Sequence, residues 1–307
     1  MIEFISRNTK INFVSHFPIT SIISVLLVTG AIILLFTRIE YGVDFRGGAE
    51  IQLKFDRAVS LGELRSTLKR GGFSGASVQT IGPEGDNEYL IKVLASKENL
   101  NQVAEKLSHA VQQEYQTQGA RIRKVDIVGP KAGAQLRIAG FQAMGWALIA
   151  IMIYIGLRFD FKYSPGAIVA LLHDVSIILG IFALTGTEFT LQTVAALLAV
   201  IGYSVNDTVI VYDRVREHEE RYSGVELKTH INNAVNETLS RTILTSGTTL
   251  FISITMYFFG GLAIKDFFLA ISLGVLVGTY SSIYVAANVT LLLDRFQQAR
   301  VPKGQKV

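Results

Sequence analysis

Four stretches of this chain carry no acidic or basic side chain except one histidine: Ile11 to Thr37, Ile138 to Leu157, Thr242 to Ile264 and Phe267 to Leu293. Each has the roughly 20 residues that a helix needs to cross about 30 Å of hydrocarbon. Two more runs, Tyr163 to Thr187 and Phe189 to Tyr212, are equally apolar apart from His173, Asp174, Asn206 and Asp207. Composition agrees: half of the residues are hydrophobic and only 18% are charged, too little charge for an ordinary soluble domain of 307 residues. Mean hydropathy is +0.38. The expected fold is a polytopic α-helical membrane protein with six spans.

Orientation follows from Lys and Arg in the short connections. With the amino terminus inside, the cytoplasmic pieces hold Arg7, Lys10, Arg158, Lys162, Arg214, Arg216, Arg221, Lys228, Arg241, Arg295, Arg300, Lys303 and Lys306, and the short outer turns hold only Lys265. Both termini are therefore expected in the cytoplasm. The expected division is a cytoplasmic segment 1–18, a first span 19–38, an external domain 39–136, a five-helix membrane domain 137–295 with a cytoplasmic connection 213–241, and a cytoplasmic tail 296–307. The first apolar run follows Arg7 and Lys10, but it leaves through Phe36-Thr-Arg-Ile-Glu40 with no small-residue cleavage pattern, so it reads as a retained anchor. The absence of cysteine excludes disulfides, thiol chemistry and Cys-based metal sites. A net charge of +4 is spread along the cytoplasmic edge and forms no groove-like cluster, which excludes nucleic acid as a partner.

The insert between the first two spans alternates strand and helix. Strands are expected at Glu50–Phe55, Ser77–Ile81, Tyr89–Leu94 and Arg121–Val128. A helix opens at Ser60, with Glu63 three residues on as a capping box, and stops at Gly71 and Gly72; a second runs from Lys97 to Gln118. The order βαββαβ is that of an α+β ferredoxin-like domain, a fold that names no function by itself. His109 belongs on the polar face of its helix rather than to a metal site. In the connection after Asp213, Leu227, Ile231, Ala234 and Thr238 recur at helical spacing, which predicts a helix lying along the membrane surface and leading into the fifth span.

A carboxylate inside a span costs about 2.5 to 3.5 kcal/mol on insertion scales, so an intramembrane acid is a functional-site candidate by default. Asp207 lies six residues before Asp213, about 9 Å inside the cytoplasmic boundary at about 1.5 Å per residue. Arg241 begins the next span from the same side and is expected within reach of it. A charged pair and a protonated acid are then the two accessible states, and one proton switches between them. The fifth span carries the hydroxyls Thr242, Ser246, Thr249 and Ser253 at helical spacing, and Arg241, Thr245 and Thr248 on the adjacent stripe. That stripe serves either interhelical hydrogen bonding or a hydrated path. Gly274 and Gly278 in the sixth span have the GxxxG spacing of close helix packing.

Four separated runs resemble the SecD/SecF protein-export family of the resistance-nodulation-division superfamily, on its SecF side: Gly42-Val-Asp-Phe-Arg-Gly-Gly48, Val128-Gly-Pro-Lys131, Leu171-Leu-His-Asp-Val175 and Ile201-Gly-Tyr-Ser-Val-Asn-Asp-Thr208. The resemblance extends to the six-span plan and its large external insert. It implies a non-enzymatic subunit of the bacterial inner membrane, with its large domain periplasmic, that uses the proton motive force to promote preprotein translocation and release on the outer side. The partners implied are SecD, the SecY–SecE–SecG channel, YajC and the translocating preprotein. No metal or cofactor is implied, protons being the coupling ion. The proton-responsive acid falls on Asp207 and its partner on Arg241; Asn206, Thr245, Ser246 and Thr248 line the path by proximity, and Asp174 is either structural or supporting. Gly42, Gly47 and Gly48 let the backbone turn where span meets domain, and Asp44 and Arg46 organise that junction.

Other readings remain. An aspartyl protease of the membrane would also place acids such as Asp174 and Asp207 on neighbouring helices, but its Gly-x-Gly-Asp and Pro-Ala-Leu patterns are missing here. Half of a proton-coupled small-molecule efflux transporter and a non-catalytic scaffold of the translocon are the alternatives. A single six-span half with no internal duplication requires a second subunit on the transporter plan.

Overall fold

Six helices long and apolar enough to cross a membrane stand out in the computed structural model, which describes residues 9–73, 75–81, 85–94 and 100–300. The first is α1 (Phe17–Arg38), entered through a 3-10 turn at Val14–His16. A short helix α2 (Val43–Arg46) leads into the inserted domain, and α5 (Pro130–Arg158) leads out of it. The remaining spans are α6 (Ser164–Thr185), α7 (Leu191–Arg221), α8 (Leu227–Phe259) and a last one formed by α9 (Leu262–Ser281), a π-helical turn (Ser282–Ala286) and α10 (Ala287–Arg300). α6 and α7 are the most buried spans, whereas α1, α5 and α8 turn apolar side chains outward, among them Leu26, Phe36, Trp146, Leu157, Phe251 and Phe259. An apolar outer surface of that extent is what lipid requires.

The inserted domain is ferredoxin-like. Its strands are β1 (Gly48–Lys54), β2 (Ser77–Ile81), β3 (Glu88–Leu94) and β4 (Arg121–Val128), with helices α3 (Leu61–Arg70) and α4 (Leu100–Glu114). They form one sheet in the order β2-β3-β1-β4, every neighbour antiparallel. Side chains alternate across a strand. Ala49, Ile51 and Leu53 therefore enter the core with Val78, Ile91, Leu64, Leu68, Leu107 and Val111, while Glu50 and Gln52 line the opposite face. Ser60 caps α3, its Oγ accepting from the Glu63 amide at 3.1 Å. The expected start of the second helix at Lys97 and the turn residues 82–84 lie outside the described residues. His109 is exposed.

One expectation is corrected in part. The helix expected at Leu227 to Thr238, leading into the fifth span, is present, but it is not a separate element along a surface: α8 runs without a break from Leu227 to Phe259, and α7 continues to Arg221. Leu227, Ile231, Ala234, Val235 and Leu239 pack against Val211, Tyr212 and Val215 of α7 and against Phe13, Val14 and Phe17. An amphipathic face that finds protein to cover it has no need of headgroups. The same region holds the segment that leads into α1. Asn236 Nδ2 donates to the Ile11 carbonyl and its Oδ1 accepts from the Ile11 amide, both at 2.8 Å.

Candidate functional site in the membrane domain

The helix that bears Asp207 is fixed at its outer end by its own sequence. Thr190 and Thr193 form a reciprocal capping box, each hydroxyl accepting from the other residue's amide, which satisfies two of the otherwise orphaned donors at the start of α7. Asp44 adds a third bond, its Oδ2 accepting from the Leu191 amide at 3.0 Å. From that start α7 crosses the centre of the bundle against α9. Gly274 is the close-approach point: a Cβ there would lie 2.3 Å from Val200 Cγ2, so a larger residue would drive the helices apart. Gly278 faces Ser204 and Asp174.

Asp207 is 1% exposed. Among the described residues its Oδ2 has a single neighbouring donor, Ser246 Oγ of α8, at the long distance of 3.5 Å, and its Oδ1 has no hydrogen-bond partner. Ser246 is itself held elsewhere: its hydroxyl lies 2.7 Å from Thr279 Oγ1 of α9 and accepts from the Tyr203 hydroxyl at 3.3 Å. The carboxyl group is thus enclosed and under-bonded. A buried polar oxygen without a partner is costly, and the free Oδ1 leaves a place for a proton.

Asp174 of α6 has the opposite surroundings. Its Oδ2 accepts from Ser204 Oγ of α7 at 2.6 Å and Ser281 Oγ of α9 at 2.9 Å, and its Oδ1 lies 3.0 Å from His173 Nδ1. Three helices therefore converge on one carboxylate. His173 stacks on Tyr280, whose hydroxyl donates to the Thr20 carbonyl of α1. The two acids share no hydrogen-bond partner among the described residues.

The other expected site residues are spread around this centre. Arg241 is exposed midway along α8 and makes no ion pair with Asp207 among the described residues. Ser246 reaches Asp207, but Thr245 and Thr248 bond to carbonyls of their own helix, at Arg241 and Thr242 and at Leu244 and Thr245 respectively. Asn206 points to the outside of the bundle. Ser281 joins the centre from the side of its span that carries Gly274 and Gly278, and Tyr203, Ser204 and Thr279 join it without having been singled out, because helical spacing within one span does not reveal which face meets which neighbour. Near the inner end the π turn frees the helix's hydrogen-bond pattern, and the Tyr212 hydroxyl donates to the Ala286 carbonyl at 3.1 Å.

At the junction with the inserted domain, Gly47 has φ +82° and a Cβ there would sit 2.7 Å from Pro130 Cα, so both chain connections to the domain meet at a residue that only glycine suits. Gly42 donates its amide to the Phe189 carbonyl, and Phe189 donates to the Glu40 carbonyl. Arg46 is exposed.

A six-span bundle with one ferredoxin-like insert after its first helix and a glycine-built junction define a polytopic membrane protein with an external α+β domain. The comparisons with known proteins are specific. Residues 107–295 match the family described as protein export membrane protein SecD/SecF, C-terminal, and residues 32–59 match the SecD/SecF GG motif. The chain belongs to the SecD/SecF family. It is 40% identical to protein translocase subunit SecF of Rickettsia rickettsii over 84% of its length and 83% of the relative's. It is 38% identical to that of Thermodesulfovibrio yellowstonii over 96% and 98%. Among solved structures, SecDF of Thermus, a translocon-associated membrane protein, superposes with a TM-score of 0.83 at 32% identity. The match takes in 95% of this chain and 40% of that longer one.

Proposed function

We propose that this chain is the SecF-type half of a SecD–SecF assembly that promotes preprotein translocation at the expense of the proton motive force, with Asp207 as the group that gains and loses the proton. The observation that carries this reading is the state of that carboxyl: sealed within the bundle, with one long hydrogen bond and one free oxygen. Ser246, Thr279 and Tyr203 form a hydroxyl chain from the acid into the interface of α7, α8 and α9. Arg241, midway along α8, is the positive charge of this reading. A transmembrane potential of 100 mV is worth about 2.3 kcal/mol per elementary charge, enough to bias two packings of these helices. Asp174, held by Ser204, Ser281 and His173, supports the bundle.

Lys and Arg gather on the side of the termini, which supports cytoplasmic termini and an inserted domain in the periplasm, outside the inner membrane. A SecF-type half pairs with a SecD-type half, and the SecY–SecE–SecG channel, YajC and the preprotein follow as neighbours of such an assembly. The test is Asp207→Asn in vesicles containing the complete assembly. The proton-gradient-dependent part of translocation should be lost while the ATP-driven stage continues, and Arg241→Met should impair the same part. Translocation by Asp207→Asn that still responds fully to the gradient overturns the reading; unchanged overall translocation would favour the scaffold.

A further inference from the structure

The polar face of the inserted sheet looks onto the outer ends of α7 and α9 across a cavity of about 320 Å³ lined by Glu50, Gln52, Gln79, Lys92, Thr190 and Asp266, among others. One lysine bridges it. Lys92 Nζ of β3 lies 2.7 Å from Glu188 Oε2, in the turn that precedes the Thr190 cap of α7, and 3.6 Å from Glu50 Oε1 on the neighbouring strand β1. The side chains are 15%, 24% and 28% exposed, so this is a partly buried cluster. Asp266, near the start of α9, also acts on Lys92, and Asp44 on Glu50.

The covalent connections cannot do what this cluster does. β1 begins at Gly48, β4 ends at Val128, and these two residues are paired neighbours in the sheet. The domain therefore hangs from two adjacent strand ends, with Gly47 packed on Pro130 between them. Two adjacent points of attachment make a hinge. We infer that Lys92 is the positioning residue that closes this hinge, locking the inserted sheet to the outer end of the helix that carries Asp207, so that a displacement of α7 is carried to the domain. This rests on the reading of Asp207 only for its purpose; the lock itself does not depend on the protonation of Asp207. Removing the lysine leaves Glu50, Glu188 and Asp266 facing one another across the junction, where like charges repel.

The chain has no cysteine, so a pair introduced at Gln79 of β2 and Ala263 of α9, both exposed and both lining the cavity, reports the gap by spin-label distances in the full chain in lipid nanodiscs. The unaltered junction should give one narrow distribution. Lys92→Glu should raise the population outside that peak about fivefold, equivalent to about 1 kcal/mol at 1.4 kcal/mol per tenfold. Lys92→Met, which keeps the aliphatic stem, should fall between. Lys92→Glu combined with Glu188→Lys should restore the peak, since the cation then reaches from the α7 side to the acids on the sheet. A Lys92→Glu distribution equal to the parent's, or a double variant no closer to the parent than Lys92→Glu alone, overturns the lock. Translocation by Asp207→Asn separates the two proposals: a gradient response unaffected by that change with a junction that still opens in Lys92→Glu sinks the proton reading and keeps the lock. Loss of the gradient response with an unmoved junction does the reverse.

Discussion

Replacing Asp174 by asparagine exchanges a group that accepts from three buried donors for one that must present an NH₂ to at least one of them. Ser204 and Ser281 crowd Oδ2 at 2.6 and 2.9 Å and His173 Nδ1 sits 3.0 Å from Oδ1, so the amide fits only if the serine hydroxyls turn to accept from it or the histidine moves its proton to Nε2, which has no partner among the described residues. Leaving a buried donor unmatched costs about 1 to 3 kcal/mol in soluble proteins. Within membranes, where unfolded helices still find partners, interhelical hydrogen bonds average about 0.6 kcal/mol and reach about 1.7. With two contacts compromised, about 1 to 2 kcal/mol is expected for Asp174→Asn. The same substitution at Asp207 touches one 3.5 Å contact and an oxygen that has no partner, so the expected loss is below about 0.5 kcal/mol. Thermal inactivation followed by the monodisperse fraction after heating in detergent compares the two directly. Asp174→Asn should melt clearly below the parent and Asp207→Asn beside it. Equal losses, or a larger loss for Asp207→Asn, would refute the assignment of one carboxyl to packing and the other to exchange.

Gly274→Leu should destabilise the bundle by about 1 to 3 kcal/mol, the usual penalty of overpacking, because its Cβ alone would stand 2.3 Å from Val200 Cγ2; Gly247→Leu, where a Cβ meets open space, is the control in the same heating assay. The lock at Lys92 should show an alkaline limit. Burial alone would lower the lysine's pKa, but the hydrogen bond to Glu188 and the charges of Glu188, Glu50 and Asp266 outweigh burial and hold it above its ordinary 10.5. The contribution is therefore present in full below that value and lost as pH rises through the raised one. The labelled junction should be unchanged between about pH 7 and 9 and open above about 10.5; opening between 7 and 9 would contradict it. On the acid side Glu50, pushed up by burial and by Asp44 and Glu188 against the pull of Lys92, takes its proton sooner than an ordinary glutamate as pH falls.

How much was legible depended on whether the signal was local. Alternation at Ala49 to Leu53 and the Ser60 cap are properties of a few consecutive residues, and they emerged as a strand and a helix start. The amphipathic pattern at Leu227 to Thr238 was equally local, yet periodicity reports only that a face will be covered, not what covers it. Here the cover is α7 and the segment that leads into α1 instead of lipid headgroups. Asp207 could be found because an acid in an apolar run is costly wherever the helix turns; Tyr203 and Thr279 could not, since a hydroxyl in a span is cheap and common.

The sequence by itself determined that the chain crosses a membrane six times, that a βαββαβ domain interrupts it, and that two acids lie at hydrocarbon depth, because hydrophobic length, strand alternation and the cost of burying charge are each written in neighbouring residues. Only the tertiary structure decided that three donors meet Asp174 and almost none meet Asp207, that Thr245 and Thr248 serve their own helix, and that Lys92 reaches Glu188 across 96 residues. Those facts depend on the rotation of one helix against another, which is set by packing among distant segments such as Gly274 on Val200.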